Sequence, residues 1–190
     1  MDFIIDGFIK AFFLLIHLDP ATMSAISATL KVSTIAILIS LVLGLPLGFA
    51  LGYFTFPGKR HIKTLVDTLL ALPTVCIGLI IYALISSQGP LGEWNLLFTL
   101  TGIAMGLTVL ALPIVIAITA ATVENIDPEL KLTLVSLGAG RHHIVRTCLW
   151  EVRYGILAGV VTAFGRVFTE VGIAMMVGGN IKYHTRTMTT

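Results

Sequence analysis

Residues 24–53 read SAISATLKVSTIAILISLVLGLPLGFALGY, and this stretch decides the fold class. Lys31 is its one charged side chain. A helix that crosses a bilayer needs about 20 mainly apolar residues, so this run can cross with tilt or project beyond the hydrocarbon. Three further stretches qualify: residues 65–85, 96–123 and 154–177. A backbone amide in lipid needs a partner within its own segment, which leaves helices as the form such runs take. The expected fold is an all-α membrane protein with four spanning helices.

Composition agrees. Of the 190 residues, 56% are hydrophobic and 12% are charged, and the mean hydropathy is +0.98. A soluble domain carries roughly twice that charged fraction. The net charge of +2 and the lack of a long basic run give no footing for a nucleic-acid partner. Cys76 and Cys148 lie far apart and show no disulfide or zinc pattern.

The first residues are not a secretory leader, because Asp2 and Asp6 stand where such a leader is positive. Phe3, Ile4, Ile5, Phe8, Ile9, Phe12, Phe13 and Ile16 recur at helical spacing. Residues 1–20 therefore read as an amphipathic helix in the membrane interface, with an untidy first span as the alternative. Asp19-Pro20 ends the segment. Residues 21–190 form the membrane domain.

Basic residues in the connections set the orientation. Lys59, Arg60 and Lys63 fall between the first two spans, and Lys131, Arg141, Arg146 and Arg153 between the last two. The connection around Gly89-Pro90 has none. The two basic connections are expected in the cytoplasm and both chain ends outside.

The connection 124–153 is long for a membrane loop and has helical content. Asp127 is suited to an N-cap, Pro128 to the first helical position and Glu129 to the positive helix end. Leu130, Leu132, Leu134, Val135 and Leu137 form an apolar side, and Gly138-Ala139-Gly140 ends the helix. A second helix is expected from Arg141 into the last span. A plain surface linker is the alternative on these grounds alone.

Leu132 to Gly140, LTLVSLGAG, resembles the loop E-A-A-x-x-x-G of permeases from binding-protein-dependent ABC importers. Gly138 matches the motif glycine. Leu132, Thr133 and Leu134 replace Glu-Ala-Ala, and Trp150-Glu151 stands where many such permeases have Leu-Pro. The segments Phe164 to Gly172, Met175 to Asn180 and Arg186 to Thr190 are similar to the tungstate-permease branch of that family, as is Glu151-Val152-Arg153-Tyr154-Gly155.

The resemblance implies a type I permease core in a prokaryotic inner membrane. It implies a coupling loop to a separate ATPase subunit, with Glu129, Leu132, Leu134, Ser136, Leu137, Gly138, Ala139, Gly140, Arg141 and His142 as its site residues. It implies an external substrate-binding protein and a second copy of the permease as partners. The cargo it implies is tungstate; molybdate, phosphate and other solutes remain open, as does a passive channel or scaffold. ATP and Mg would be used by the partner subunit, and this chain is expected to bind no cofactor. A further span is expected after the threonine-rich end, so the chain reads as one helix short.

Arg166 and Glu170 fall within the last span at a spacing that shares a helix face. Each alone would cost about 2.5–3.5 kcal/mol at the membrane centre. Two roles compete: a structural clasp, which is preferred, or a guanidinium fork for a passing oxyanion.

Pro73 and Pro113 each follow Ala-Leu inside a span and are candidates for kinks. Gly44, Gly48 and Gly52, and also Gly102 and Gly106, repeat at a spacing that permits close helix contact. His142-His143 point apart on a helix and do not make a metal pair. The sequence carries no phosphate-binding loop, His-Glu-x-x-His or Gly-x-Ser-x-Gly, so no catalytic residue is assigned.

Overall fold

The computed structural model describes residues 7, 11 and 13–190, with the side chains of Lys131 and Arg141 outside the description. Half of the expected interfacial helix of residues 1–20, namely 1–6, 8–10 and 12, lies outside the described residues. Among the described residues the chain is helical and has no strand. The helices are α1 (Pro20–Tyr53), α2 (Lys59–Ala71), α3 (Thr74–Ile85), α4 (Leu100–Glu124), α5 (Pro128–Ser136), α6 (Arg141–Glu151), α7 (Arg153–Phe168) and α8 (Gly172–Gly178), with a short 3-10 turn at Gly92–Trp94.

Asp19 starts one helix where the sequence suggested only an end. Its carboxylate accepts from the Thr22 amide at 2.9 Å and from the Thr22 hydroxyl at 3.0 Å. Pro20 then occupies the first helical position, where its missing donor does no harm. The two Thr22 donors, led by the amide, hold the Asp19 carboxyl below the usual carboxylate range.

Among the described residues two helices, α1 and α4, are long and apolar enough to cross a membrane alone. Counting each interrupted pair, α2 with α3 and α7 with α8, as one span raises the number to four. These interruptions correct the expectation of continuous spans at 65–85 and 154–177. In the first, Leu72 is extended (φ −64°, ψ 133°), as a residue before proline prefers. In the second, residues 169–171 are non-helical. Pro113 and Pro46, by contrast, sit inside unbroken helices. The Ser40 hydroxyl of α1 donates to the Thr108 carbonyl of α4 at 3.3 Å.

The chain divides into two compact units. One comprises residues 1–35, 73–107 and 168–190. Its core includes Ile77, Ile81, Ile103, Ile173 and Val177, with Gly106 against Ile173 and Gly178 against Ile103. The other comprises residues 36–72 and 108–167 and collects both basic connections. In it α1 packs on α4 through the glycine repeat. A β-carbon built at Gly48 would lie 2.8 Å from the Ile116 carbonyl oxygen, and one at Gly52 would lie 2.7 Å from that of Ala120. Gly155 and Gly159 of α7 meet Thr122 and Ile118 of α4 in the same way.

The outward flank of α1, including Leu38, Val42, Leu43 and Leu47, is exposed. Such a flank is costly in water and natural against lipid. Gly48→Ala and Gly52→Ala are each expected to lower the thermal unfolding temperature in detergent, by a destabilisation of about 1–3 kcal/mol. Gly165→Ala, where a β-carbon meets nothing within 4 Å, should leave it unchanged or slightly raised.

Candidate functional site

The helix–turn–helix of residues 127–151 is the feature that the sequence marks out, and its construction can be followed donor by donor. The Asp127 carboxylate accepts from the Glu129 amide at 2.9 Å, with Pro128 at the first helical position. At the other end of α5 the Gly138 amide donates to the Val135 carbonyl (3.0 Å) and the Ala139 amide to that of Leu134 (2.9 Å). That pair of bonds is a Schellman motif with Gly138 as its left-handed residue, φ 76°. A β-carbon at Gly138 would meet nothing within 4 Å. The demand for glycine is therefore torsional, with no steric part. Gly140 follows in extended form (φ −65°, ψ 157°) and opens α6.

The turn is fastened from below. Leu134, Ala139 and Val145 pack on a buried cluster of Phe49 from α1, Val123 from α4, and Ile144, Cys148 and Val152. Tyr53 and Ile126 complete the seat. What remains outside is apolar: Leu132 is 66% exposed, Val135 57% and Leu137 78%. Glu129, Leu132, Thr133, Ser136 and Leu137 line one shallow depression. Ser136 donates to the Leu132 carbonyl at 2.9 Å, its own helix turn. His142 is exposed like its neighbour His143, and no cluster of potential metal ligands occurs among the described residues.

The expected apolar side of α5 is thus divided, with Leu134 turned inward and Leu132, Val135 and Leu137 turned outward. Val135 was not among the candidate site residues, although its spacing from Leu132 is helical.

Sequence reasoning also missed an ion cluster beside the turn. Glu124 at the end of α4 meets Lys59 at 2.9 Å and Lys63 at 2.6 Å. Lys59 also donates to the Gly52 carbonyl at 3.3 Å. An acidic residue opening an otherwise basic connection was the available signal. Farther along, the Arg153 guanidinium lies over the rings of Trp150 and Tyr154, 4.6 and 4.4 Å from their centroids. Both rings are exposed, as aromatic residues at a membrane interface are.

Arg166 and Glu170 do not share a helix face. Helix α7 ends at Phe168; Arg166 lies in its last turn, where a cation suits the negative helix end. Glu170 falls in the interruption and is 4% exposed. Its carboxylate accepts from the Ile173 amide at 3.3 Å, at the start of α8. Its main-chain carbonyl accepts from the Thr189 hydroxyl at 2.9 Å.

Residues 44–189 match the family described as "Binding-protein-dependent transport system inner membrane component". The chain belongs to this family. It is a multi-pass inner-membrane component of a transport system, a permease and not itself an enzyme. It is 50% identical over its whole length to the tungstate uptake system permease protein of Campylobacter jejuni, covering 80% of that protein. It is 35% identical over 172 residues, 88% of this chain and 74% of the relative, to a probable anion ABC transporter permease of Haloferax volcanii. It is also 34% identical, over its whole length and 83% of the relative, to the tungstate uptake system permease of Peptoclostridium acidaminophilum.

The N-cap gives a local test. Asp127→Ala should destabilise the start of α5 by about 0.5–2 kcal/mol. Hydrogen exchange should quicken at the first amides of α5 and stay slow in α6 around Ile144 and Cys148, which the buried cluster holds.

Proposed function

We propose that this permease is the translocating subunit of an ATP-driven importer for a tetrahedral oxyanion, with tungstate as its cargo. Two copies enclose the path, an external binding protein delivers the anion, and a separate ATPase subunit drives the cycle. The turn between α5 and α6 is where that ATPase docks. The observation that carries the coupling reading is the exposed apolar trio of Leu132, Val135 and Leu137 on a firmly seated turn. An apolar group held out of the bilayer and out of the core is at its most stable when a partner covers it. The tungstate assignment is supported by the relatives' names and by identity over the whole chain.

Coupling needs a turn that moves as a piece. The Schellman bonds and the buried seat give it that rigidity. A bulky residue at Gly138 must adopt a left-handed backbone, at a cost of about 1–2 kcal/mol, and the turn relaxes to another shape. The spans are untouched by that change.

In proteoliposomes holding the permease, its ATPase and its binding protein, tungstate uptake is expected to require ATP hydrolysis. Molybdate or sulfate should compete only weakly. Equal transport of sulfate would overturn the substrate assignment, and uptake without the ATPase would mark a passive channel. Leu137→Asp and Gly138→Val should each reduce co-purification of the ATPase and lower uptake, with insertion in the membrane unchanged. Normal ATPase association in both variants would rule out docking at this turn.

A further inference from the structure

The threonine-rich residues 178–190 are tied down to an unusual degree. Thr185, 1% exposed, donates to the Gly178 carbonyl and accepts from the Ile181 amide at 3.1 Å. The Thr187 hydroxyl, also buried, lies 3.1 Å from that of Thr189 and 3.2 Å from that of Thr190. Thr189 reaches the Glu170 carbonyl, and the Met188 amide donates to the Thr29 hydroxyl of α1 at 2.9 Å. Asn180, held in a left-handed conformation (φ 51°), donates to the Thr190 carbonyl at 3.2 Å. Its other amide atom, Oδ1, accepts from Arg186 Nε at 2.9 Å.

The hydroxyls in this knot are used to hold backbone or one another, while the guanidinium is held by one edge. Its Nε is engaged, and among the described residues its two terminal nitrogens have no acceptor. Arg186, Thr187, Met188 and Thr190 border a cavity of about 540 Å³ whose opposite wall includes Thr22 and Ile26 of α1. Thr190 Oγ1 accepts from the Thr187 amide at 3.0 Å, and its own proton has only two long acceptors, the Thr187 hydroxyl at 3.2 Å and the Thr187 carbonyl at 3.3 Å, so that proton can turn to another acceptor. Farther along the same face of α1, at helical spacing from Thr22, Ile26 and Thr29, stands Ser33. It is 1% exposed, and its hydroxyl has no partner. Buried hydroxyls are as a rule bonded.

We propose that this cavity is a transient oxyanion site, with the terminal nitrogens of Arg186 as its bidentate donor and the Thr190 hydroxyl as a second donor. A planar guanidinium offers two parallel N–H bonds to two oxygens of a tetrahedral anion. With one fixed cation and few further donors, the site binds weakly, as a station that must release its ion requires. The charge bias of the connections assigns this end of the chain to the outer side, where the anion arrives. The inference rests on the oxyanion reading above.

The test uses the full transporter in proteoliposomes, with tungstate as the probe. Wild-type uptake first establishes the oxyanion reading; no uptake of tungstate, molybdate or sulfate by the wild type would fell that reading, and this site with it. Given wild-type uptake, Arg186→Gln is expected to reduce it about tenfold or more, the value of a charge-assisted hydrogen bond. ATP hydrolysis stimulated by the binding protein should persist. Arg186→Lys keeps the charge but not the fork and should recover only part of the uptake. Uptake within twofold of wild type in Arg186→Gln would overturn the site. So would a parallel loss of uptake, stimulated hydrolysis and affinity for the binding protein, since that pattern marks a docking contact. Full rescue by lysine would overturn the bidentate geometry.

Discussion

A backbone amide inside a bilayer has no water to turn to, so each one must find its partner within the protein. A continuous helix meets that demand by itself, and an interrupted one does not. Residues 169–171 are such an interruption. Here the Glu170 carboxylate accepts from the Ile173 amide, and the Thr189 hydroxyl donates to the Glu170 carbonyl. Where α8 ends, Thr185 serves the Gly178 carbonyl. The threonine-rich segment is thus bound up with the break, since its side chains replace bonds that helix would have supplied. A buried carboxylate in a membrane segment is expensive, and the Ile173 amide at the opening of α8 is one donor that offsets that expense.

This constraint also separates what could be read from the residues from what could not. The all-helical class, the stretch 24–53 and the helix–turn–helix of residues 127–151 were legible. They depend on long apolar runs and on local signals such as Asp127-Pro128 and Gly138. The interruptions were not. Ala-Leu-Pro occurs at both Pro73 and Pro113, yet only the first ends a helix. No local pattern separates the two cases. The continuous helix face expected to carry Arg166 and Glu170 is absent for a related reason. Spacing of four defines a common face only while the helix continues, and here it stops at Phe168.

The candidate coupling turn shows the same division between local and distant causes. Its cap and its glycine were visible because capping is local chemistry. Which leucines face outward was not visible, because α5 carries apolar residues around much of its circumference. The seat formed by Phe49, Val123 and Cys148 selects Leu134 for the inside and leaves Leu132, Val135 and Leu137 exposed.

Two kinds of contact hold this unit together, and the proposed coupling depends on the balance between them. The Lys59–Glu124–Lys63 cluster joins the start of α2 to the end of α4, and Lys59 extends the link to the last turns of α1 through Gly52. These side chains are partly exposed, and exposed ion pairs contribute little, about 0–1 kcal/mol each. They also offset an acidic group at the negative end of α4, where it is unfavourable alone. The firmer bond is the bare contact of Gly48 and Gly52 with the carbonyls of Ile116 and Ala120. Backbone against backbone leaves no rotamer to absorb a displacement. The α5–α6 turn is therefore joined through its buried seat to α1 and α4 together, which is the connection the proposed coupling requires, while the ion cluster fixes where α2 joins them.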